Sequence, residues 1–457
     1  VTSAALRRNI LSACVIACGL TVSACDTVSE YTDTINPFTK KEKILPGERQ
    51  DLFSAGTTPA EIAGQTASVG PASGGQDWSQ AGGNSTNNPG NVAVSVSGAR
   101  AWRSSVGKSV GGGLGGISGV VSSPVRLSAR PVSDGGRIYV YKQDGTVVAL
   151  SASGGGRAWS RDLRPEGERD VASGGGVAVD NGRVFVATGY GQLAALDANS
   201  GTVLWSKDLS APAREAPTAA AGHVFAVTQN NEVVALTQED GTEKWAYAGI
   251  PETGGILSSA NPAVSGGTVV FPSSSGEVLA MDIEKGQPMW IDGVSRSYRT
   301  HAVSGLVDVA GSPVIADGVV YAAGVAGRII AASIKTGERV WEQDYGSVHT
   351  PVVSGDAVFL IDLDDNMLAL SRKTGEPLWQ TPLPSGKKKD RVNWAGPILA
   401  NGTLVAFSSD GKMVRIDASS GRSIGTQETS IDVYVSPIVA GGRVVTVSSD
   451  GDVVAFN

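Results

Sequence analysis

The 457 residues carry 44 Asp and Glu against 37 Lys and Arg, a formal charge of −7, and removal of residues 1–24 with Arg7 and Arg8 would take it to −9. That balance disfavours nucleic acid as a partner. Sixty glycines suit many tight turns, no stretch holds a long helical period, and three cysteines leave no disulfide framework.

In chain order the first element is a targeting segment. Arg7 and Arg8 precede an apolar run, Ile10 to Leu20, and then Val22-Ser23-Ala24-Cys25. Small residues ahead of such a cysteine resemble a bacterial lipoprotein signal, so residues 1–24 are expected to be removed and Cys25 to be acylated, palmitate included. An ordinary secretory signal with an incidental Cys25 is the other reading. Cys14 and Cys18 leave with the signal, which excludes a disulfide within the mature chain. Asp26 resembles an inner-membrane retention signal of some bacteria, which leaves the choice of membrane open. Residues 25–75 are polar and rich in Pro, Gly, Ser and Thr, and read as a flexible tether with a root-mean-square reach of about 40 Å.

From residue 76 one phrase recurs. A turn residue (Gly145, Gly191, Asn231, Gly276, Gly327, Asp365) stands fourteen positions before Trp159, Trp205, Trp245, Trp290, Trp341 and Trp379. Between them lie an apolar run and a second turn carrying Gly155, Gly201, Gly241, Gly286, Gly337 or Gly375. A seventh copy, Gly411 to Gly425, lacks the Trp, which predicts a locally weaker blade. A proline precedes each phrase end by 28 residues, except that Val177 stands there in the copy ending at Trp205. Phrase ends are 46, 40, 45, 51, 38 and 46 residues apart, the period of propeller blades. Each unit reads as four strands; in one they are Pro217 to Ala220, His223 to Thr228, Glu232 to Thr237 and Glu243 to Tyr247. Near-continuous apolar runs fit strands covered on both faces by neighbouring blades.

After the seventh phrase come three strands, around Pro437, Arg443 to Ser448 and Gly451 to Phe456. Upstream, Ala99 to Arg103 is an unpartnered strand with Trp102. Pairing it with the C-terminal three completes an eighth blade and closes the ring, leaving only short, protected edges. The expected fold is all-β: an eight-bladed propeller over residues 76–457.

Several motifs carry no chemistry. Gly111 to Gly116 fits a dinucleotide fingerprint without the flanking strand and helix. Asp362, Asp364 and Asn366 start like a calcium loop, but Met367 and Lys373 stand where it needs Gly and Glu. His223, His301 and His349 fall on separate repeats. Lys387 to Arg391 reads as a solvated loop.

Ala195-Leu196-Asp197, Ser200-Gly201 and Trp205 resemble the docking motif A-x-D-x-x-[TS]-G-x-x-x-W of the pyrroloquinoline-quinone (PQQ) dehydrogenase propellers, and Asp77-Trp78 and Gly82-Gly83-Asn84 are similar to the start of those propellers. The resemblance implies that the tryptophans, Trp102 included, pack between blades. The repeat together with the signal also resembles the BamB family, lipoprotein subunits of the outer-membrane β-barrel assembly machinery (BAM).

The dehydrogenase likeness implies a quinone, a calcium ion and an adjacent cysteine pair; that pair cannot exist here. The BamB likeness implies no catalysis and no cofactor. It implies a scaffold on the periplasmic face of the outer membrane that binds the periplasmic domains of a BamA-type barrel subunit, with unfolded outer-membrane proteins as further partners. A PQQ-dependent dehydrogenase or a ligand-sensing propeller is the alternative.

Topology places the blade-to-blade connections on one face, and Ala246 to Asn261, Ile291 to Ser312 and Thr381 to Gly396 are the longest. Loops of this kind on a rigid frame usually carry function. The BamB resemblance implies partner contacts at an apolar pair, Ile256 and Leu257, and at Asp308 in a D-V-D-x-x-P-like stretch. Leu257 replaces a family arginine and Ala310 the second acid.

Overall fold

The computed structural model describes residues 64–107, 127–249, 260–294, 309–386 and 392–457. Cys25, Ile256, Leu257, Asp308, His301 and the Lys387–Arg391 run lie outside them. The described residues belong to one unit, Gly56–Asn457.

Strands form where the sequence alternates apolar runs with glycine turns. The unit around Trp245 has strands Thr218–Ala220, His223–Val227, Glu232–Thr237 and Glu243–Ala248, within a residue or two of expectation. Among the described residues there are eight such sheets, each a blade. Blades 1 to 7 begin at Val132, Gly175, Thr218, Ala263, Val314, Val352 and Trp394. Blade 8 combines Ile438–Ala440, Arg443–Val447 and Asp452–Phe456 with Arg100–Ser105 as its outer strand. In that closing pair Trp102 lies opposite Ala455 and Ser105 opposite Asp452.

Burial explains the sequence pattern. Inner strands bury consecutive residues, as in Leu193 to Leu196, because a neighbouring blade covers each side. Outer strands bury almost nothing but the tryptophan, as in Val203–Asp208. The apolar core is therefore distributed over the blade interfaces; one cluster joins Tyr139 and Val147 of blade 1 to Val177 and Leu196 of blade 2.

A β-bulge precedes each tryptophan, as where Ala235 pairs with Trp245 and Leu236 with Glu243. The extra residue turns outward and the ring turns toward the next blade. This accounts for the exposure of Leu204, Met289, Val340 and Ile424, each the bulged residue of its blade.

The tryptophans pack as the resemblance implies. Seven indole Nε1–H groups, from Trp102 to Trp379, donate to a turn carbonyl of the following blade at 2.7 to 3.1 Å. The ring lies against the glycine of that turn: a Cβ on Gly241 would sit 2.7 Å from Cε3 of Trp205, and φ there is +70°. Glycine is needed on both counts.

At the seventh interface, which lacks the tryptophan, other contacts stand in its place. Gly425 lies opposite Arg415, whose Nη1 donates to the carbonyls of Val96 and Ser97 at 3.1 Å each. Gln427 adds a bond to the carbonyl of Gly98 at 2.7 Å. The outer strand of blade 8 comes from upstream in the chain, so no turn joins it to Asp452–Phe456 and a tryptophan would have no glycine turn to meet. Polar contacts to the seam take its place.

The tether boundary also moves. Residues 67–75, expected in the tether, lie on the ring: Ala67 is buried, and its N–H donates to Ser419 O at 2.8 Å. Ser68 N–H donates to Asp356 Oδ1 at 2.7 Å. These are mainly backbone contacts of small residues, which leave no apolar periodicity in the sequence.

Candidate partner-binding face

The two faces of the ring differ because one is occupied by the chain itself. Residues 75–92 run around the axis and meet the innermost strand of every blade in turn. Gln76 O accepts from Gly441 N–H of blade 8, and Trp78 pairs with Ser133 of blade 1. The Gln80 amide donates to Val179 and Ala219 of blades 2 and 3. Ser85 O and Thr86 O accept from Val264 and Ile315 of blades 4 and 5. Asn88 accepts from Val353 of blade 6, and Asn91–Val92 adds a parallel strand to blade 7. Asn87 is the buried node: its Nδ2 donates toward the carbonyls of Asn261, Pro262 and Pro313 at 3.0 to 3.2 Å, and its Oδ1 accepts from Asn261. A Cβ on Gly82 would fall 2.1 Å from that Oδ1, which explains the glycine in Gly82-Gly83-Asn84.

This circle closes the channel on the face of the short first-to-second-strand turns, leaving the opposite face for the long loops. There the second-to-third-strand turns brace the loop roots. Gly249 N–H donates to Asn231 O at 3.1 Å, Val294 N–H to Gly276 O at 2.8 Å, and Val309 N–H to Ser273 O at 3.3 Å. The Asn231 side chain ties blade 3 to blade 4 by donating to Ser274 Oγ at 2.7 Å, and its φ of 58° is the left-handed turn conformation expected at that position. Both long connections flanking blade 4 therefore leave from one braced region.

Between blades 3 and 4 at this root lies a cavity of ≈ 140 Å³ lined by Val227, Val233, Tyr247, Phe271, Leu279 and Ile291, among others. Its lining is mostly apolar, and Ile291 is 53% exposed. Among the expected contact residues, Ile256, Leu257 and Asp308 lie outside the described residues, so the structure describes only the roots of their loops. Val309 and Ala310, directly after Asp308, are buried. Position 310 is thus part of the loop anchor. Sequence reasoning missed Asn231 as a brace; its signal was an Asn where most repeats have Gly.

The remaining polar motifs are structural. Asp362 Oδ1 accepts from Asp364 N–H and Asn366 N–H at 2.9 and 2.7 Å, an Asx turn between two strands of blade 6. His223 is buried beside Ala221 O, at 2.9 Å from its Nδ1. In the repeat turns Asp197 Oδ1 accepts from Asn199 N–H, Ser200 N–H and Ser200 Oγ, which holds its carboxyl below the usual range. Among the described residues there is no cysteine and no group of three His, Cys, Asp or Glu side chains arranged to hold a metal. The described residues do not fit a quinone–calcium site.

An all-β ring of eight blades, docked through tryptophan and closed on one face by its own chain, defines the class: a PQQ-like-repeat propeller. The family model described as outer membrane protein assembly factor BamB matches residues 88–172, 168–381 and 369–457. The chain belongs to this family of BamB assembly factors. It is 37% identical over 211 residues to BamB of Vibrio cholerae, covering 46% of this chain and 54% of that protein. It is 27% identical over 342 residues to BamB of Yersinia pestis, covering 74% and 83%. The chain thus spans about half the length of the Vibrio relative and most of the Yersinia one. The crystal structure of BamB from Moraxella catarrhalis superposes with a TM-score of 0.63 at 23% identity, over 73% of this chain and 98% of that one. A quinohemoprotein alcohol dehydrogenase from Comamonas testosteroni has the same TM-score, 0.63, at 15% identity over 83% and 80%, a likeness of fold alone.

Proposed function

We propose that the chain is a non-enzymatic scaffold subunit of the outer-membrane β-barrel assembly machinery. It is held at the periplasmic face of the outer membrane by acyl chains on Cys25. It docks the periplasmic domains of the BamA-type barrel subunit and aids insertion of outer-membrane proteins, with unfolded client chains as further partners. The family match over residues 88–457 carries this reading.

The face with the long loops supports it. An apolar cavity opens at the root of the loop that holds Ile256 and Leu257, and both loops flanking blade 4 start from one braced region. Apolar anchors with a charged rim, here Asp308, suit a compact protein-docking surface. A rigid ring is fitted to this role because it holds separate loops in fixed positions without needing to move.

The test is affinity purification of the full chain from detergent-solubilised envelopes. Barrel-assembly subunits are expected to co-purify in stoichiometric amounts, and their absence from a well-folded bait overturns the reading.

A further inference from the structure

The outer strand of each blade ends its sheet, so its outward N–H and C=O groups can pair with another chain unless charge, proline or twist discourages it. Beyond the tryptophan position the other outer strands carry such a guard, as Arg161, Lys207, Asp292 and Pro382 do. Blade 3 has Ala246-Tyr247-Ala248 there, with neither charge nor proline. Gly249 N–H donates inward to Asn231 O, and backbone direction alternates along a strand. Tyr247 therefore bonds inward, while Ala246 and Ala248, both exposed, turn their N–H and C=O groups outward.

The clefts on both sides of this strand are open. Two residues past the tryptophan, other blades bond to the next one: Arg161 Nε donates to Gly201 O at 2.7 Å, Thr381 Oγ1 to Gly421 O at 2.5 Å, and Asp292 Oδ2 accepts from Arg339 Nε at 2.8 Å. In blade 3 that position is Tyr247, on the same side as Trp245 and so facing blade 4. It lines instead the apolar cavity of ≈ 140 Å³, which the exposed Ile291 borders from blade 4. A dry cavity of about 150 Å³ holds a benzene ring, so one large apolar side chain fits. In blade 2 the position is Lys207, which lines a second cleft of ≈ 270 Å³ between blades 2 and 3 together with Asp208, Glu232 and Glu243. The edge of blade 3 thus has an apolar hole on one side and a cleft of net negative charge on the other.

Unpaired backbone groups on an edge select an extended chain, whose side chains alternate between the two faces. We propose that the outer edge of blade 3 binds an extended polypeptide segment as a fifth strand, its apolar side chains entering the cavity toward blade 4 and its polar or basic ones meeting the carboxylates toward blade 2. Alternation of apolar and polar residues is the pattern of a strand bound for a membrane β-barrel. This site rests on the client-binding part of the role proposed above and gives the client a place on the ring. Backbone pairing supplies affinity with little regard to sequence, which suits a scaffold that meets many client chains.

Fluorescence anisotropy with the purified full chain in detergent tests this, using a labelled peptide of about ten residues that alternates valine and lysine. The control peptide has the same composition with its valines and lysines in two blocks, which keeps the charge and loses the alternation. Saturable binding is expected for the alternating peptide, and binding weaker by roughly 10-fold or more for the control. Ala246→Pro removes one outward N–H and should weaken binding by roughly 10-fold or more with an unchanged thermal melt. Should it not fold, Tyr247→Arg decides, since it installs the residue of blade 1, and the same loss is expected. Hydrogen exchange of the parent chain should slow at the Ala246 and Ala248 amides when the alternating peptide is bound. No saturable binding, equal binding of both peptides, unprotected amides, or unchanged affinity in the folded variant overturns the proposal. These readouts use the purified chain alone, so loss of peptide binding with barrel-assembly subunits still co-purifying overturns this site and leaves the assembly role standing.

Discussion

Arg415 lies opposite Gly425 at the register position where the other seven blades pair an alanine with a tryptophan. The exchange is reciprocal: the large group moves from the outer strand to its neighbour, and an indole donor becomes a guanidinium donor. It occurs at the one interface whose following blade is closed by two segments distant in sequence. Asn457 helps hold that seam, accepting from Ser97 and Gly98 N–H at 2.6 and 2.9 Å. The role of Arg415 is therefore to lock the ring.

Arg415→Ala should cost about 1 to 3 kcal/mol, since two seam carbonyls lose a charged donor. Gly425→Ala should change stability little, because a Cβ there meets only Arg415 Nη2, at 3.7 Å. Chemical denaturation with both variants measures the difference, and equal midpoints would refute the locking role.

The tryptophan and glycine of adjacent blades should behave as one unit. Trp205→Ala is expected to cost roughly 3 to 5 kcal/mol by leaving a cavity. Gly241→Ala should also destabilise, through a methyl driven into the ring and a strained φ. The double variant should cost less than the sum, because the cavity left by the ring accepts the methyl. A double-mutant cycle reads the coupling, and strict additivity would show that the contact is incidental.

Acid should loosen the repeat turns. A hydrogen bond from Thr237 Oγ1, followed by bonds from Thr242, lowers the Asp240 pKa to about 2 from an ordinary 3.8. A depressed folded-state pKa means stability that is present above the unfolded value and is lost as pH falls from about 4 toward 2. Asp197 is shifted the same way. NMR titration should place the Asp240 carboxyl below the free-aspartate value, and Asp240→Asn should reduce the dependence of the melt on pH in that window.

Partner capture should depend on the two loops flanking blade 4. Leu257→Asp combined with Asp308→Arg is expected to abolish co-purification of the barrel subunit while leaving the melt near that of the parent. Retained capture with a normal melt moves the docking surface elsewhere. A lowered melt shows instead that the side chains serve as local core.

Anchoring should rest on one thiol. Cys25→Ser is expected to shift the protein from the membrane to the soluble periplasmic fraction, because acyl chains supply the membrane affinity. Unchanged fractionation would show another means of attachment.

The repeat could be read without a structure because its causes are local. Left-handed turn residues such as Gly191 and Asn231, runs such as Leu193 to Leu196 and the spacing to Trp205 are set within one blade, and blades can bury such strands only by stacking. Ring closure followed too, since three strands at one end and Trp102 at the other leave complementary edges. The rest joins residues that no spacing relates. Asn87 meets Asn261 and Pro313, Arg415 meets Val96 and Ser97, and Arg130 meets Ala81. These contacts were decided by tertiary structure, because small polar residues such as those of 75–92 leave no periodic signal until folding brings unpaired backbone groups of eight blades to one centre.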